Sequence, residues 1–281
     1  GMTKVKIVTD STVDIDRALL EDLDVEVVPL SITIDGTSYL DRVDISATEF
    51  MKKMSESKDL PKSSQPAVGD FVEVYKRLGA DGSKIISIHM TGGMSGTVGS
   101  AESAAKISES DVTVVDSRFI SFALSFQVME AAKMAKEGKS VEEIIARLDV
   151  IRANTELFIV VDTLDNLVKG GRIGRGKALI GSLLNIKPIA SLEDGVYTPV
   201  TKVRSHTQLV KFLTKRFVED TSGKVIKGIG IAQADASKLA NTLKDSLTNA
   251  SGYSDINIVD TTPVIATHTG PGAIALMYYS E

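Results

Sequence analysis

Short β-branched segments alternate with helical patterns through the first half of the sequence. Val5–Thr9, Lys84–Met90 and Val112–Asp116 are typical of strands, and Val25–Ile34 is an extended segment that contains Pro29. Helices are predicted between them, at Asp70–Leu78, Thr97–Ile107, Phe119–Lys136 and after the capping pair Ser140 and Glu143. Neighbouring parallel strands need such crossover helices, so the alternation predicts a parallel sheet with helices on both faces.

The pattern changes after about Asn154. Lys187–Leu192 and Thr198–Arg204 are predicted strands, joined by Glu193-Asp194-Gly195, which is typical of a hairpin turn. Leucine or phenylalanine recurs every fourth residue in two predicted helices, at 209, 213 and 217 and at 239, 243 and 247. We therefore expect an α/β domain over residues 1–155 and an α+β domain with a mostly antiparallel sheet over residues 156–281.

Composition excludes several function classes. The chain has 281 residues, enough for two domains of roughly 100–200 residues each. The net charge of −5 disfavours electrostatic binding of nucleic acid or of an anionic membrane over an extended surface. The absence of cysteine excludes disulfides and thiol chemistry, and the three histidines show no metal-ligand spacing. The start, Gly1–Val8, lacks the apolar stretch of a signal peptide, so we expect a cytoplasmic protein.

One glycine-rich loop is a candidate anion site. Thr91–Thr97 follows a predicted strand and opens a predicted helix. Glycines let the backbone approach a ligand, and the free N–H groups of a helix N-terminus attract anions. A simple strand-to-helix cap explains the same residues equally well. The loop lacks the lysine of a P-loop and the spacing of a dinucleotide fingerprint.

Three further stretches have both a structural and a functional interpretation. Lys62–Pro66 carries hydroxyls that can cap a helix or bind a ligand, and Lys169–Lys177 is a basic loop that can hold an anion or remain solvated. Thr267–Gly272 is a polar segment around His268. We interpret His89 as a structural strand residue and His206 as a helix cap. Asp10-Ser11-Thr12 and Asp116-Ser117, at strand ends, can cap or bind metal or phosphate.

The order of these stretches resembles the DegV family over nearly the whole chain. The matching motifs are Thr9-Asp10-Ser11-Thr12, Ser63-Ser64-Gln65-Pro66, Met94-Ser95-Gly96-Thr97, Val115-Asp116-Ser117, Gly170-Gly171-Arg172-Ile173, Asn185-Ile186-Lys187-Pro188-Ile189, Asp194-Gly195, Lys202-Val203-Arg204 and His268-Thr269-Gly270-Pro271-Gly272. The resemblance implies a two-domain protein that holds one long-chain fatty acid, such as palmitate, stearate or oleate, in an interdomain tunnel. It implies a non-catalytic subunit, without a cofactor or metal, that presents the acid to an ATP-binding fatty acid kinase subunit. Phosphorylation would yield an acyl phosphate for phospholipid synthesis.

The resemblance also assigns roles to individual residues. The carboxylate contacts fall on Ser63, Ser95 and His268, where Ser63 replaces the family's usual threonine. Arg172 matches a residue near the head group and the kinase-facing surface, and Arg204 matches a basic position on the partner surface. The loop backbone positions are Gly96, Thr97, Thr269 and Gly270. Two departures, Thr91-Gly92 and the absence of a glycine from Phe119–Ala123, bear on head-group bonding and tunnel shape.

Some alternatives remain open from the sequence. The apolar stretches Phe119–Val128 and Ala178–Ile189 are candidates for a tunnel lining, but they serve equally well as dry core. A dihydroxyacetone-kinase-like protein for small phosphorylated or keto compounds would show a small polar pocket at His268. A DNA-binding regulator is suggested only by Lys169–Lys177, and the net charge opposes it. Transient contact with a membrane surface fits a fatty-acid carrier, whereas nucleic acid is not an expected partner.

Overall fold

A computed structural model describes residues 3–181 and 186–281 of the chain. In chain order the strands are β1 (Val5–Asp10), β2 (Val25–Val28), β3 (Ser31–Ile34), β4 (Thr37–Leu40), β5 (Lys62–Ser64), β6 (Lys84–His89), β7 (Val112–Asp116), β8 (Thr155–Val160), β9 (Lys187–Glu193), β10 (Val196–Val203), β11 (Ile226–Gln233), β12 (Asn257–Asp260) and β13 (Ile274–Ser280). The helices are α1 (Arg17–Asp22), α2 (Ala47–Glu56), α3 (Val68–Gly79), α4 (Thr97–Ile107), α5 (Ser121–Lys136), α6 (Val141–Ala153), α7 (Asp165–Lys169), α8 (His206–Thr221), α9 (Ser237–Ser251) and α10 (Pro263–Thr269). Gly174–Leu179 forms a 3-10 helix.

The N-terminal domain is built on a parallel sheet, as the strand–helix alternation predicts. Its strand order is β2-β1-β6-β7, and every neighbouring pair is parallel. Helices α3 and α4 cover one face, where Phe71, Tyr75 and Ala101 pack against Val8 and Ile85. The carboxyl ends of β1, β6 and β7 lie at one edge of this sheet, and the loops that follow them meet there.

A small second sheet breaks the predicted extended segment Val25–Ile34 into two strands. Pro29 lies between β2, which pairs with β1, and β3, which pairs with β4 and β5 in an antiparallel sheet. Proline cannot donate a ladder hydrogen bond, so the chain leaves the first sheet at this point. Ser63 lies on β5, opposite Ile32, and it is therefore a strand residue rather than a helix cap.

The C-terminal domain holds a six-stranded sheet in the order β10-β9-β8-β13-β11-β12. Four of its five pairs are antiparallel, and only β11 and β12 run parallel. Helices α8 and α9 cover its outer face through the predicted every-fourth-residue positions, among them Leu213, Phe217 and Leu243. Asp194 and Gly195 have positive φ angles of 53° and 80°, which form the predicted tight turn between β9 and β10.

Helix α5 joins the two domains into one core. It packs on β1 and β6 from one side and on β8, β11 and β13 from the other. Glycine on β11 allows the close approach, because a Cβ at Gly230 would overlap the ring of Phe122. The largest hydrophobic cluster accordingly contains residues of both domains, such as Ile88 and Met277. The space between the two sheets is thus filled mostly by side chains, and the cavities described below are what remains.

Several local expectations from the sequence need correction. Ser205 caps α8 by accepting a hydrogen bond from the Gln208 N–H, and His206 is only the first helical residue. Thr262 precedes α10, a seven-residue helix where the sequence showed a polar segment around His268. The capping pair Ser140 and Glu143 is confirmed at the start of α6.

Candidate functional site

The first cavity lies between the two domains and brings four of the predicted ligand residues together. It is narrow, with a volume of about 30 Å³. Ser63, Ser95, Arg172 and His268 line it, and they come from β5, from the loop before α4, from the loop after α7 and from α10. The remaining lining residues are mostly apolar: Leu30, Met90, Met94, Ile120, Ile159, Leu167, Tyr197, Val264, Ile265 and Thr269. The small polar pocket expected of a dihydroxyacetone-kinase-like protein is therefore not what surrounds His268.

Ser63 and His268 form a hydrogen-bonded pair across the domain interface. The distance between Ser63 Oγ and His268 Nε2 is 2.6 Å. The other ring nitrogen, Nδ1, is buried without a partner, which favours the tautomer with the proton on Nε2 because a buried N–H needs an acceptor. Nε2 then donates to Ser63 Oγ, and the hydroxyl hydrogen of Ser63 is free to donate to a third group.

The imidazole of His268 is held neutral and fixed in place. Burial, reinforced by the nearby Arg172 guanidinium, lowers the pKa of His268 to about 4. The protonated imidazolium is thus not the form of His268 at neutral pH. A Cβ atom at Gly170 would overlap the imidazole ring, so glycine at that position leaves space for His268.

Ser95 stands at the N-terminus of α4. Its Oγ lies 2.8 Å from Thr97 Oγ1 and accepts a hydrogen bond from the Thr97 backbone N–H at 3.2 Å. Gly96 is the N-cap residue of this eleven-residue helix and has no side chain with which to cap it. The positive end of the helix dipole therefore points toward the loop that carries Ser95, which favours an anion there.

Arg172 supplies the positive charge of the first cavity. Its Nε donates to the Met94 carbonyl at 2.9 Å, and its Nη1 donates to the Gly170 carbonyl at 2.5 Å. None of the ion pairs within residues 3–181 and 186–281 includes Arg172. Burial lowers the pKa of Arg172, since the guanidinium is only partly solvated. The two carbonyls orient the side chain but do not neutralise it, so a charge remains for an anionic ligand.

A second narrow cavity, of about 20 Å³, continues from the first. The two share the lining residues Ile120, Ile159, Ile265 and Thr269. Small side chains make the floor of the second cavity: Ala275 of β13 pairs with Ile159 of β8 on one side and with Ala232 of β11 on the other. Adjacent strands lie about 4.8 Å apart, so the two cavities form a narrow slot that runs across the C-terminal sheet, with α10 above it.

The other predicted residues lie at varying distances from the slot. Thr269 lines both cavities, and its Oγ1 donates to the Ile265 carbonyl at 3.0 Å. Gly270, with a φ of 78°, ends α10. Arg204 is exposed at the end of β10, and it does not line either cavity.

The predicted apolar linings are only partly found at the slot. Ile120 lies on its wall, whereas Phe122 and Phe126 pack on Gly230 and Gly228 of β11 instead. In the stretch 178–189, residues 182–185 lie outside the described part of the chain, and the others do not line the two cavities.

Sequence reasoning missed one group beside the site and one contact that holds the site together. The Tyr197 hydroxyl is buried without a partner beside the first cavity, and burial raises the pKa of Tyr197 to about 12, so the phenol stays protonated. Thr91 Oγ1 donates to the Gly195 carbonyl at 2.8 Å and thereby fastens the β9–β10 turn to the N-terminal domain. The inward alternation of β10 could have indicated Tyr197. Thr91 was singled out within the loop Thr91–Thr97, but no pattern indicated its contact with the β9–β10 turn.

A buried chain of polar groups behind the site serves structure. His89 lies between Ser87 Oγ, at 2.5 Å, and Asp10 Oδ2, at 3.1 Å, and all three residues are fully buried. Burial alone would raise the pKa of Asp10, but hydrogen bonds from His89, Thr12 and the Met90 N–H keep it below its ordinary value. The arrangement resembles a nucleophilic triad, yet a side chain with no exposed surface has no access to a substrate. It ties the ends of β1 and β6 together.

Two other classes of site are absent from the part of the chain that the structure describes. No group of three or more histidine, aspartate or glutamate side chains there is arranged to hold a metal ion. No helix within those residues has the length and apolar character needed to cross a membrane.

Comparisons with known proteins agree on one family. A family profile described as "uncharacterised protein, DegV family" matches residues 4–281. A DegV domain-containing protein of Staphylococcus aureus is 44% identical over 276 residues, which is 98% of this chain and 99% of the relative. A fatty-acid-binding DegV family protein of Thermus thermophilus superposes with a TM-score of 0.92 at 33% identity, over 99% of this chain and 100% of that one. A stearic-acid-binding protein of Eubacterium ventriosum superposes at 0.86 with 26% identity, over 98% of each chain. This chain belongs to the DegV family.

Proposed function

We propose that the protein binds one long-chain fatty acid in the slot and presents its carboxylate to an ATP-binding kinase subunit. The observation that carries the proposal is the polarity of the slot. Ser63, Ser95, Arg172 and His268 stand at one end, and mostly apolar side chains line the rest. A ligand that matches this arrangement has an anionic head and a long apolar tail.

The head end is suited to a single negative charge. A buried carboxylate is strongly unfavourable unless hydrogen bonds and an opposite charge replace the water that it loses. Arg172 offers that charge and Ser63 and Ser95 offer uncharged hydroxyl donors, while the neutral His268 orients Ser63 by donating to its Oγ. With His268 neutral, the cluster carries one positive charge, which equals the charge of one carboxylate. Hydrogen bonds to a charged group contribute about 1.5–3 kcal/mol each.

The apolar part of the slot supplies most of the affinity. Each CH₂ group that leaves water contributes about 0.8 kcal/mol. An acyl chain lying on the floor of Ala275 and Ala232, beneath Ile265 of α10, would bury most of its methylenes. The relatives from Thermus thermophilus and Eubacterium ventriosum are described as binding fatty acid and stearic acid, which supports the same ligand class here.

The kinase partner and the cellular setting are the finer parts of the proposal. Arg172, at the head end, would face the partner, and the exposed Arg204 would contribute to that surface. In this role the protein is a carrier without catalytic residues of its own. It would work in the cytoplasm, as the sequence analysis predicts, and exchange its ligand during transient contact with a membrane surface. The domain boundary between residues 155 and 156 remains a prediction.

Native mass spectrometry of the purified protein tests ligand binding directly. We expect one co-purifying C16–C18 acid per chain, identified by lipid analysis after denaturation. An empty protein that also fails to take up added palmitate or oleate would refute the proposal. The kinase role is tested separately, by incubating the loaded protein with ATP and the candidate kinase subunit and measuring acyl phosphate. Binding without phosphorylation would retain the carrier and reject the partner.

A further inference from the structure

The hydroxyl of Tyr197 is a buried hydrogen-bond donor without an acceptor. Tyr197 is 1% exposed and lines the first cavity, and its hydroxyl has no hydrogen-bond partner within residues 3–181 and 186–281. Burial raises the pKa of Tyr197 to about 12, so the hydroxyl keeps its proton at neutral pH. Buried polar side chains nearly always have a partner, because leaving one unpaired is unfavourable. This hydroxyl is therefore available to an acceptor that a ligand brings into the cavity.

The strand register places the Tyr197 side chain on the slot face of the C-terminal sheet. Tyr197 of β10 pairs with Leu192 of β9, and alternate residues of a strand share a face, so Ala190 lies on the same face as Leu192. Ala190 pairs in turn with Ile159 of β8, which lines both cavities. All four residues belong to the hydrophobic cluster that lies between the two domains. The ring of Tyr197 is thus directed toward the slot and not toward α8 and α9.

Tyr197 lies at the head end of the slot rather than along its apolar part. It lines the first cavity, as the head-group candidates do, and it does not line the second. The loop that follows Arg172 packs on it, because a Cβ atom at Gly176 would overlap the Tyr197 ring. Thr91 fastens the turn that precedes Tyr197 to the loop that carries Ser95. The residue is therefore held next to both loops that supply donors to the head site.

The geometry points to Tyr197 as a further ligand residue, whose hydroxyl donates a hydrogen bond to the carboxylate of the bound acid. This inference rests on the proposed function and adds one donor to the same head site. The two oxygens of a carboxylate have about four acceptor sites. Ser63, Ser95 and Arg172 supply three donor groups, and Tyr197 supplies a fourth. Because the phenol is uncharged, it adds a hydrogen bond without changing the single positive charge of the cluster.

This role predicts that one substitution lowers ligand affinity and raises stability. Tyr197→Phe keeps the ring that packs on Gly176 and removes only the hydroxyl. A hydrogen bond to a carboxylate is then lost, so the dissociation constant for palmitate should rise by about tenfold or more. In lipid-free protein the same change removes an unpaired buried hydroxyl, so the melting temperature should rise by about 2 °C. A hydroxyl that served only the fold would instead lower the melting temperature when removed, and the affinity would not change.

Tyr278→Phe is the matched control in the same sheet. Tyr278 of β13 is also 1% exposed, but it packs with Phe217 on the α8 side of the sheet. Its hydroxyl donates to Asp220 Oδ2 at 2.6 Å, and the residue lines neither cavity. Removal of this paired hydroxyl should lower the melting temperature and leave the palmitate affinity unchanged. The same chemical change is thus expected to differ between the two positions in both measurements.

The wild type and both variants would be stripped of co-purifying acid on a hydrophobic resin. Calorimetric titration with palmitate gives the affinities, and thermal unfolding of the lipid-free samples gives the melting temperatures. An unchanged affinity in Tyr197→Phe overturns the inference, and so does an equal loss in Tyr278→Phe, because the loss would then come from the sheet. A lower melting temperature in Tyr197→Phe also overturns it, since the hydroxyl would already have a partner without the ligand.

A second measurement needs no substitution and covers the case in which Tyr197→Phe does not fold. A tyrosine hydroxyl that begins to donate to a carboxylate shifts its near-ultraviolet absorption to longer wavelength. Addition of palmitate to the lipid-free wild type should therefore give a tyrosine difference spectrum, and palmitate binding without one overturns the inference. A wild-type protein that does not bind palmitate refutes the proposed function itself, whereas binding that Tyr197→Phe leaves intact refutes only the role of Tyr197.

Discussion

Asp41 provides a quantitative test of how the domains are held around the slot. Its side chain is fully buried beneath α10, and Oδ1 accepts a hydrogen bond from the Val264 N–H at 3.3 Å, while Oδ2 has no partner. Burial raises the pKa of Asp41 from 3.8 to about 7, although hydrogen bonds from Ser11 and Val264 oppose the shift. The structure therefore holds a carboxyl group that prefers to be protonated, at the start of the helix that carries His268.

The sign and size of the effect follow from proton linkage. Between pH 4 and 7 the folded chain keeps the Asp41 proton that the unfolded chain has lost, so stability falls as the pH rises through this window. Each pKa unit corresponds to about 1.4 kcal/mol, so the rise from 3.8 to about 7 predicts a loss of about 4 kcal/mol by pH 8. Asp41→Asn cannot ionise and should not show this loss.

Urea unfolding at several pH values between 4.5 and 8 measures the prediction. The informative quantity is the difference in unfolding free energy between Asp41→Asn and the wild type, because all other titrating groups are common to both. We expect this difference to shift in favour of the variant by about 3–4 kcal/mol across the range, whatever its value at the acid end. Asp59→Asn, at an exposed position, is the control. A difference that stays constant with pH would refute the account of Asp41.

Three further predictions concern the slot. Arg172→Met should weaken palmitate binding by about 10- to 150-fold, because a charged hydrogen-bond donor is lost. The binding of hexadecanol, which has no charge, should barely change. Equal losses of affinity in titrations with both ligands would contradict the charge argument. His268→Ala should lower phosphorylation by the kinase partner more than it lowers lipid occupancy, because the acyl chain supplies most of the affinity; full turnover by that variant would reject the role of His268. Ala275→Leu fills the floor of the second cavity and should shorten the longest acid that binds, as native mass spectrometry would show; an unchanged chain-length profile would place the acyl chain elsewhere.

The helices and strands that could be predicted from the sequence are those whose apolar spacing and turn residues lie within one short stretch of chain. Thr97–Ile107 was predicted with its observed ends, because its apolar positions and the preceding glycines are local features. The hairpin between β9 and β10 was predicted from Asp194-Gly195 for the same reason. Alternation of strands and helices was likewise sufficient for the parallel sheet, since crossover connections leave few other arrangements.

Elements that depend on tertiary contacts were not predictable in this way. Helix α10 has only seven residues, begins with Pro263 and is rich in threonine, so its helical conformation depends on packing between the domains rather than on propensity. Strand β5 has three residues and no hydrophobic alternation. Both elements carry ligand-site candidates, His268 and Ser63; the sequence singled out the segments that contain them, but only the resemblance assigned them to one site. Their hydrogen bond spans 205 positions in the chain, a separation that no periodic pattern records.

The charge state of the head cluster also bears on what would follow phosphorylation. The head cluster has one positive charge on Arg172 and a neutral imidazole on His268, so it matches a carboxylate but not a phosphoryl group, which carries about two negative charges at neutral pH. An additional negative charge nearby raises the pKa of a histidine, since it stabilises the imidazolium. His268 is thus the group whose charge can change to match the product. Arg172 cannot supply a second charge, because its guanidinium is already positive in both states. On the proposed function, the site has two states: His268 is neutral in the loaded protein and protonated in the product complex. The uptake of a proton distinguishes the second state from the first.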